Sequence, residues 1–178
     1  MRHQRVLGTC CAALFAGVQF LACGAPMPGP PATGTGWTTF SNGEGRFTVL
    51  VPTTPSHTTS SDGLAHRYTA QLGERVFRVS YQHGADTEIP LQDRMNAVFE
   101  AVASTARTMS TPAISGGEAI EAEYDVDKNM STVRTRHRIC YVGETMYQVI
   151  VAAPLESYDD AEAELFLDSF QTLTEESP

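Results

Sequence analysis

The stretch Glu118–Tyr141 constrains this chain more than any other. Ile120, Ala122, Tyr124 and Val126 alternate with Glu121, Glu123, Asp125 and Asp127. Val133, Thr135, His137, Ile139 and Tyr141 then alternate with Arg134, Arg136 and Arg138. A period of two sustained over such lengths predicts strand, because successive strand side chains point to opposite faces. Lys128–Ser131 can close the two strands into a hairpin. Pairing Asp127 with Thr132 sets Asp125 opposite Arg134, Glu123 opposite Arg136 and Glu121 opposite Arg138. The same register sets Val126 opposite Val133 and Ile120 opposite Ile139. Opposite charges across strands contribute ~0.2–1 kcal/mol per pair. The arginine row therefore reads as half of a structural ladder and not as a site for an anion.

The rest of the chain supplies partners for that hairpin. Asn42-Gly43 and Gly45 are turn chemistry, and Phe47, Val49 and Val51 alternate with Thr48 and Leu50 in a strand that Pro52 ends. Thr53–Gly63 reads as a polar loop. Leu64, His66, Tyr68, Ala70 and Leu72 share one strand face, Gly73-Glu74 suits a type II′ turn, and Phe77, Val79 and Tyr81 return. Pairing Leu72 with Arg75 makes the apolar faces coincide. Pro90 suits the first turn of a helix; Leu91, Met95, Val98, Phe99 and Val102 predict an amphipathic helix of about four turns.

After Gly143-Glu144 the run Met146–Ala153 predicts a strand. A strict two-residue closure there sets Tyr147 and Val149 on the arginine face; a closure longer by one residue, which sets Tyr147 opposite Tyr141 and Val149 opposite Ile139, is the preferred expectation. The run also suits a central strand covered on both faces. Ser157 is the expected cap of a last helix, with Asp159, Asp160 and Glu162 near its positive end. Ala163, Phe166, Leu167 and Phe170 fall on one side of it. Strands, helix, strands, helix predict an α+β fold: an antiparallel sheet with two main amphipathic helices packed on it.

The N-terminal region lacks this patterning. Arg2, His3 and Arg5 precede an uncharged run over 6–22, the order of a secretory signal peptide. Thr9 and Gln19 interrupt the run, and a spanning helix needs ~20 predominantly apolar residues. Leu21-Ala22-Cys23-Gly24 resembles the lipobox of bacterial lipoproteins, with Phe20 where that family prefers leucine. The resemblance implies cleavage before Cys23 and lipidation of its thiol; ordinary cleavage after Gly24 or Ala25, with a secreted product, is the alternative. GAPMPGPPATGTG, residues 24–36, reads as an extended tether. The expected organisation is a signal peptide at 1–22, lipid-attachment cysteine and tether at 23–36, one domain at 37–173 and a tail at 174–178. Cys10 and Cys11 lie in the removed segment, so with Cys23 acylated Cys140 has no intramolecular disulfide partner.

A formal net charge of −9 repels phosphate backbones and anionic lipid surfaces. Nucleic-acid binding is not expected, and membrane attachment must come from a lipid or an apolar segment. Ser115-Gly116-Gly117 lacks the Gly-x-Ser-x-Gly elbow of a hydrolase. His137 and Cys140, three apart on a strand, point to opposite faces. His57, His66, His83 and Asp86 have no zinc-motif spacing, and no P-loop or dinucleotide fingerprint is present. No catalytic residue, metal or cofactor is expected.

Trp37 and Phe40, Phe47-Thr48-Val49 running into Pro52, Tyr147-Gln148-Val149, and Phe166 followed by Ser169-Phe170 resemble, in their order, the PsbP-like superfamily. That superfamily includes the plant photosystem extrinsic subunit, a Ran-binding nuclear import factor and many bacterial lipoproteins. These mostly apolar positions imply an α/β sandwich over about 37–173 and no particular role. The expectation is an exported, lipid-anchored, non-catalytic envelope domain that binds a protein or a small ligand. A soluble secreted enzyme with a site assembled from dispersed residues, and an assembly factor of an envelope complex, are the rival readings.

Overall fold

The computed structural model describes residues 36–104, 106–128 and 131–173. The expected signal peptide, Cys23, the tether up to residue 35 and the tail lie outside the described residues. The elements in chain order are β1 (Thr38–Asn42), β2 (Phe47–Val51), β3 (Ser56–Thr59), β4 (Ala65–Leu72), β5 (Arg75–Gln82), α1 (Leu91–Val102), β6 (Ala106–Ser110), β7 (Gly117–Lys128), β8 (Ser131–Val142), β9 (Thr145–Pro154), α2 (Asp160–Ser169) and β10 (Gln171–Thr172). Seven strands form one antiparallel sheet in the order β3-β4-β5-β9-β8-β7-β6, and β1-β2-β10 form a second, smaller one. This is the expected α+β class.

The β7–β8 register is the one that charge alternation dictates: Asp125 pairs Arg134, Glu123 pairs Arg136, Glu121 pairs Arg138 and Ile120 pairs Ile139. In the β4–β5 hairpin Leu72 pairs Arg75, Ala70 pairs Phe77 and Tyr68 pairs Val79, also as expected. Gly73 has φ +61, a left-handed conformation that glycine adopts without a Cβ clash.

Several expectations are corrected. Val142 pairs Thr145, so Gly143-Glu144 closes the β8–β9 turn with two residues and Cys140 pairs Tyr147. Tyr147 and Val149 therefore lie on the arginine face, not opposite Tyr141 and Ile139. Gly143, at φ +57, permits the tight closure. The segment 53–63 is not all loop: Ser56–Thr59 pairs with β4 as an exposed edge strand. The last helix is capped by Asp159, whose carboxylate accepts the Ala161 and Glu162 N–H groups. Ser157 sits earlier, in a short 3-10 turn. The first helix spans Leu91–Val102, the residues its periodicity names, and Ala103 ends it in a left-handed conformation at φ 51.

Both faces of the large sheet are covered. Helix α1 packs on one face, where the Phe99 and Tyr124 rings meet edge-on at 5.5 Å and Leu91, Met95 and Val98 are buried. Helix α2 and the small sheet pack on the other. There Phe166 meets Phe77 at 5.4 Å, and Phe47, fully buried, touches Tyr147 and Phe170 at 6.3 and 5.8 Å. Each such buried aromatic stabilises the fold by ~1.5–3 kcal/mol. Ser169 Oγ accepts the Leu50 N–H at 2.9 Å and ties the end of α2 to β2.

Candidate functional site

The arginine ladder lies on the α2 face, beside the main core. Arg134 is bidentate on Asp125, at 3.0 and 3.3 Å. Arg136 stands opposite Glu123 on the backbone, yet its guanidinium reaches the next rung, Glu121, at 2.6 Å. Arg138 Nε reaches the other Glu121 oxygen at 2.9 Å. One carboxylate, 7% exposed, thus serves two arginines. Diagonal reach of this kind follows from strand twist and long side chains. Arg107 of β6 joins through Asp125 at 3.1 Å, and the Tyr158 ring lies 5.8 Å from the Arg134 guanidinium.

Arg138 connects the ladder to α2. Its Nη1 donates to the Leu167 carbonyl at 2.6 Å and its Nη2 to Asp168 at 3.0 Å. A cation there gives the Leu167 carbonyl a second donor beside the Phe170 N–H and complements the helix dipole. Just beyond lies a cleft of about 490 Å³, lined by residues 112–115, Arg138, Asp168 and residues 170–172. Thr172 Oγ1 donates to the Ser115 carbonyl at 3.2 Å and links the walls. Arg138 has its donors committed to Glu121, Leu167 and Asp168, so it presents little free capacity for an anion. Asp168, with its side chain 61% exposed, supplies an acceptor. Ile114 and Phe170 supply apolar wall. Such walls suit a neutral or cationic group carried on an apolar body.

The two side chains closest to a hydrolytic pair are held apart, as expected from strand alternation. Cys140 belongs to the α2-side core. Burial pushes its thiol up to about 12, against smaller opposing effects from Arg138 and a backbone hydrogen bond. His137, fully buried, lies on the α1 side with Nδ1 3.4 Å from Tyr124 Oη. Burial pushes it down to about 4, with Gln148 opposing and Arg78 reinforcing the shift. Neither group is poised for chemistry near neutral pH.

The other histidines separate. His57 and His66 come together, with His57 Nε2 3.3 Å from His66 Nδ1. His83 instead meets Thr145 Oγ1 at 3.0 Å, and the Asp86 carboxylate accepts the Glu88 N–H at 3.1 Å. Among the described residues no three His, Cys, Asp or Glu side chains form a ready metal site. Asp168 and the 112–115 wall escaped sequence reasoning: Arg138 reads there as a third rung, and its partner lies thirty residues away on a helix. The expected lipidation site, Cys23, lies outside the described residues.

No family model and no curated protein matches the sequence. Solved structures do match in shape. A crystal structure from Bacteroides thetaiotaomicron superposes with a TM-score of 0.52 at 13% identity, over 78% of this chain and 49% of that one. The chain thus spans about half the length of that protein. The solution structure of cyanobacterial PsbP (CyanoP) from Synechocystis superposes with a TM-score of 0.55 at 12% identity, over 83% of this chain and 99% of that one. Mostly antiparallel sheets with two helices, in an arrangement that spans the cyanobacterial domain from end to end, make this a PsbP-like α+β fold.

Proposed function

We propose that this chain is a non-catalytic binding domain, held on an envelope membrane by a lipid on Cys23, that takes a small ligand or a protein side chain in the cleft beside Arg138. The observation that carries the binding role is the cleft itself, about 490 Å³ with the Asp168 carboxylate on one wall and Ile114 and Phe170 on the others. That volume suits a small organic molecule, and the wall chemistry favours a hydrogen-bond donor or cation with an apolar body. Burial of His137 and Cys140 away from neutral-pH reactivity supports binding over catalysis. The lipid anchor is supported by Leu21-Ala22-Cys23-Gly24 and the Pro/Gly-rich stretch that follows it. Among the described residues no helix is long and apolar enough to cross a membrane.

Two measurements test the parts separately. Intact mass of protein extracted from membranes should give an N-terminus at Cys23 carrying acyl mass; an unacylated N-terminus at Ala25 or later overturns the anchor. NMR screening of the full chain with small amines and amides bearing apolar groups should shift resonances at 112–115 and 168–172. Asp168→Asn should weaken the hits that carry a cation. A screen whose shifts fall elsewhere, or nowhere, overturns the cleft as the site.

A further inference from the structure

At the opposite end of the large sheet from the cleft, β3 and β4 present a pair of histidines in an arrangement that suits a metal ion. His57 pairs Tyr68 and Thr59 pairs His66 across the two strands, so the histidines are diagonal neighbours on one face. Their rings lie nearly parallel, 7° apart, with centroids at 5.5 Å. Tyrosines hold both rings: His57 stacks on Tyr68 at 4.5 Å and His66 on Tyr81 at 4.8 Å. His57 Nε2 stands 3.3 Å from His66 Nδ1, and Thr59 Oγ1 lies 3.4 Å from the same His57 nitrogen. Two imidazole nitrogens bound at ~2.0–2.1 Å to a tetrahedral ion stand about 3.3 Å apart.

The second nitrogen of His66 completes the pattern. His66 Nε2 faces Glu44 Oε1 at 3.7 Å. A carboxylate on that side favours hydrogen on Nε2 and leaves the Nδ1 lone pair directed toward His57. A metal-bound imidazole usually donates its far N–H to a carboxylate or carbonyl in this way, which fixes the tautomer and raises ligand basicity. The Glu44 side chain is 64% exposed, at the solvent edge of the pair. His57 sits on an exposed edge strand and can turn its ring toward an ion, while His66 is only 13% exposed and stays packed.

We infer that His57 Nε2 and His66 Nδ1 form a two-imidazole surface site for a divalent transition ion of the kind that imidazole prefers, Zn²⁺ or Cu²⁺, with Glu44 orienting His66 and solvent completing the coordination. Imidazole nitrogen favours such ions over Mg²⁺ and Ca²⁺, which take oxygen ligands. The acidic chain, formal charge −9, adds a general attraction for cations.

The competing arrangement is a plain imidazole–imidazole hydrogen bond, and zinc titration separates the two. The full chain is first treated with iodoacetamide, so that accessible thiols do not compete for metal. Side-chain ¹⁵N resonances of the histidines are then followed as ZnCl₂ is added. The expected result is saturable binding of one equivalent, with the His57 Nε2 and His66 Nδ1 signals moving together and His83 unchanged. His57→Ala and His66→Ala should each weaken zinc binding at least about tenfold, Glu44→Gln about tenfold, and His83→Ala not at all. Addition of MgCl₂ should move neither histidine. The proposal is overturned if the His57 and His66 signals stay still under zinc, or if zinc binds equally well to His57→Ala. The nitrogen shifts are read on the unsubstituted protein, so the test stands even if a variant folds poorly.

Discussion

Strand β8 treats its two faces differently. Toward α2 it carries Arg134, Arg136 and Arg138, each held by carboxylates from β7 or α2. Toward α1 it carries His137, buried against Tyr124 and drawn to Gln148. The first face balances its charges by pairing them with opposite charges. The second keeps its group neutral by burial. The difference teaches that a sheet face accepts titratable side chains by either route, and that each route fails differently: pairing fails when a partner is removed, burial fails when the proton concentration rises.

The hardest way to break the comparison is to remove an arginine from the paired face. Arg138 is 5% exposed and Glu121 7%. Breaking a buried pair by deleting one partner costs about 3–5 kcal/mol. Arg136 remains on Glu121, so Arg138→Met should lose about 3 kcal/mol in urea unfolding. A loss below about 1 kcal/mol would place the ladder with ordinary surface pairs.

The buried face should break by acid. His137 is pushed down to about 4 in the folded chain from a model-peptide value of 6.5. The unfolded chain therefore takes up a proton at a higher pH than the folded chain does. The stability that comes from keeping His137 neutral is fully present above pH 6.5 and is lost as pH falls towards 4, by roughly 3 kcal/mol. Urea midpoints of the parent chain and of His137→Gln, compared across that window, isolate this contribution from that of the carboxylates. Parallel pH profiles for the two proteins would show that His137 does not carry it.

Smaller effects calibrate the scale. Asp159→Ala removes the carboxylate that accepts the Ala161 and Glu162 N–H groups, and should cost about 1 kcal/mol, largely restored by Asp159→Ser. The Arg75–Glu162 pair, with both side chains about a quarter exposed, should be worth less than about 1 kcal/mol in a double-mutant cycle. A coupling as large as that expected at Arg138 would show that burial is not what separates the ladder from other ion pairs.

Much of the fold was legible. The β7–β8 and β4–β5 registers follow from alternation and turn chemistry, and every rung named from the sequence pairs as expected. The strands that escaped, β1, β3, β6 and β10, have two to five residues and mostly exposed side chains. Pairing with a neighbour forms them more than any pattern of their own. The cleft and the histidine pair were the least legible. Arg138 meets Asp168, and His57 meets His66, only after separate elements have docked.

The amino-acid sequence by itself determined which residues share a face within each strand and the registers of the β4–β5 and β7–β8 hairpins, because side-chain alternation and a short turn leave little freedom of register. Only the tertiary structure decided what covers each face. The two-residue turn sets Tyr147 and Val149 on the arginine side of the sheet, and α2 and the small sheet bury them there. A period of two distinguishes the faces of a strand. Which of them meets a helix, a cleft or solvent depends on contacts between residues far apart in the chain.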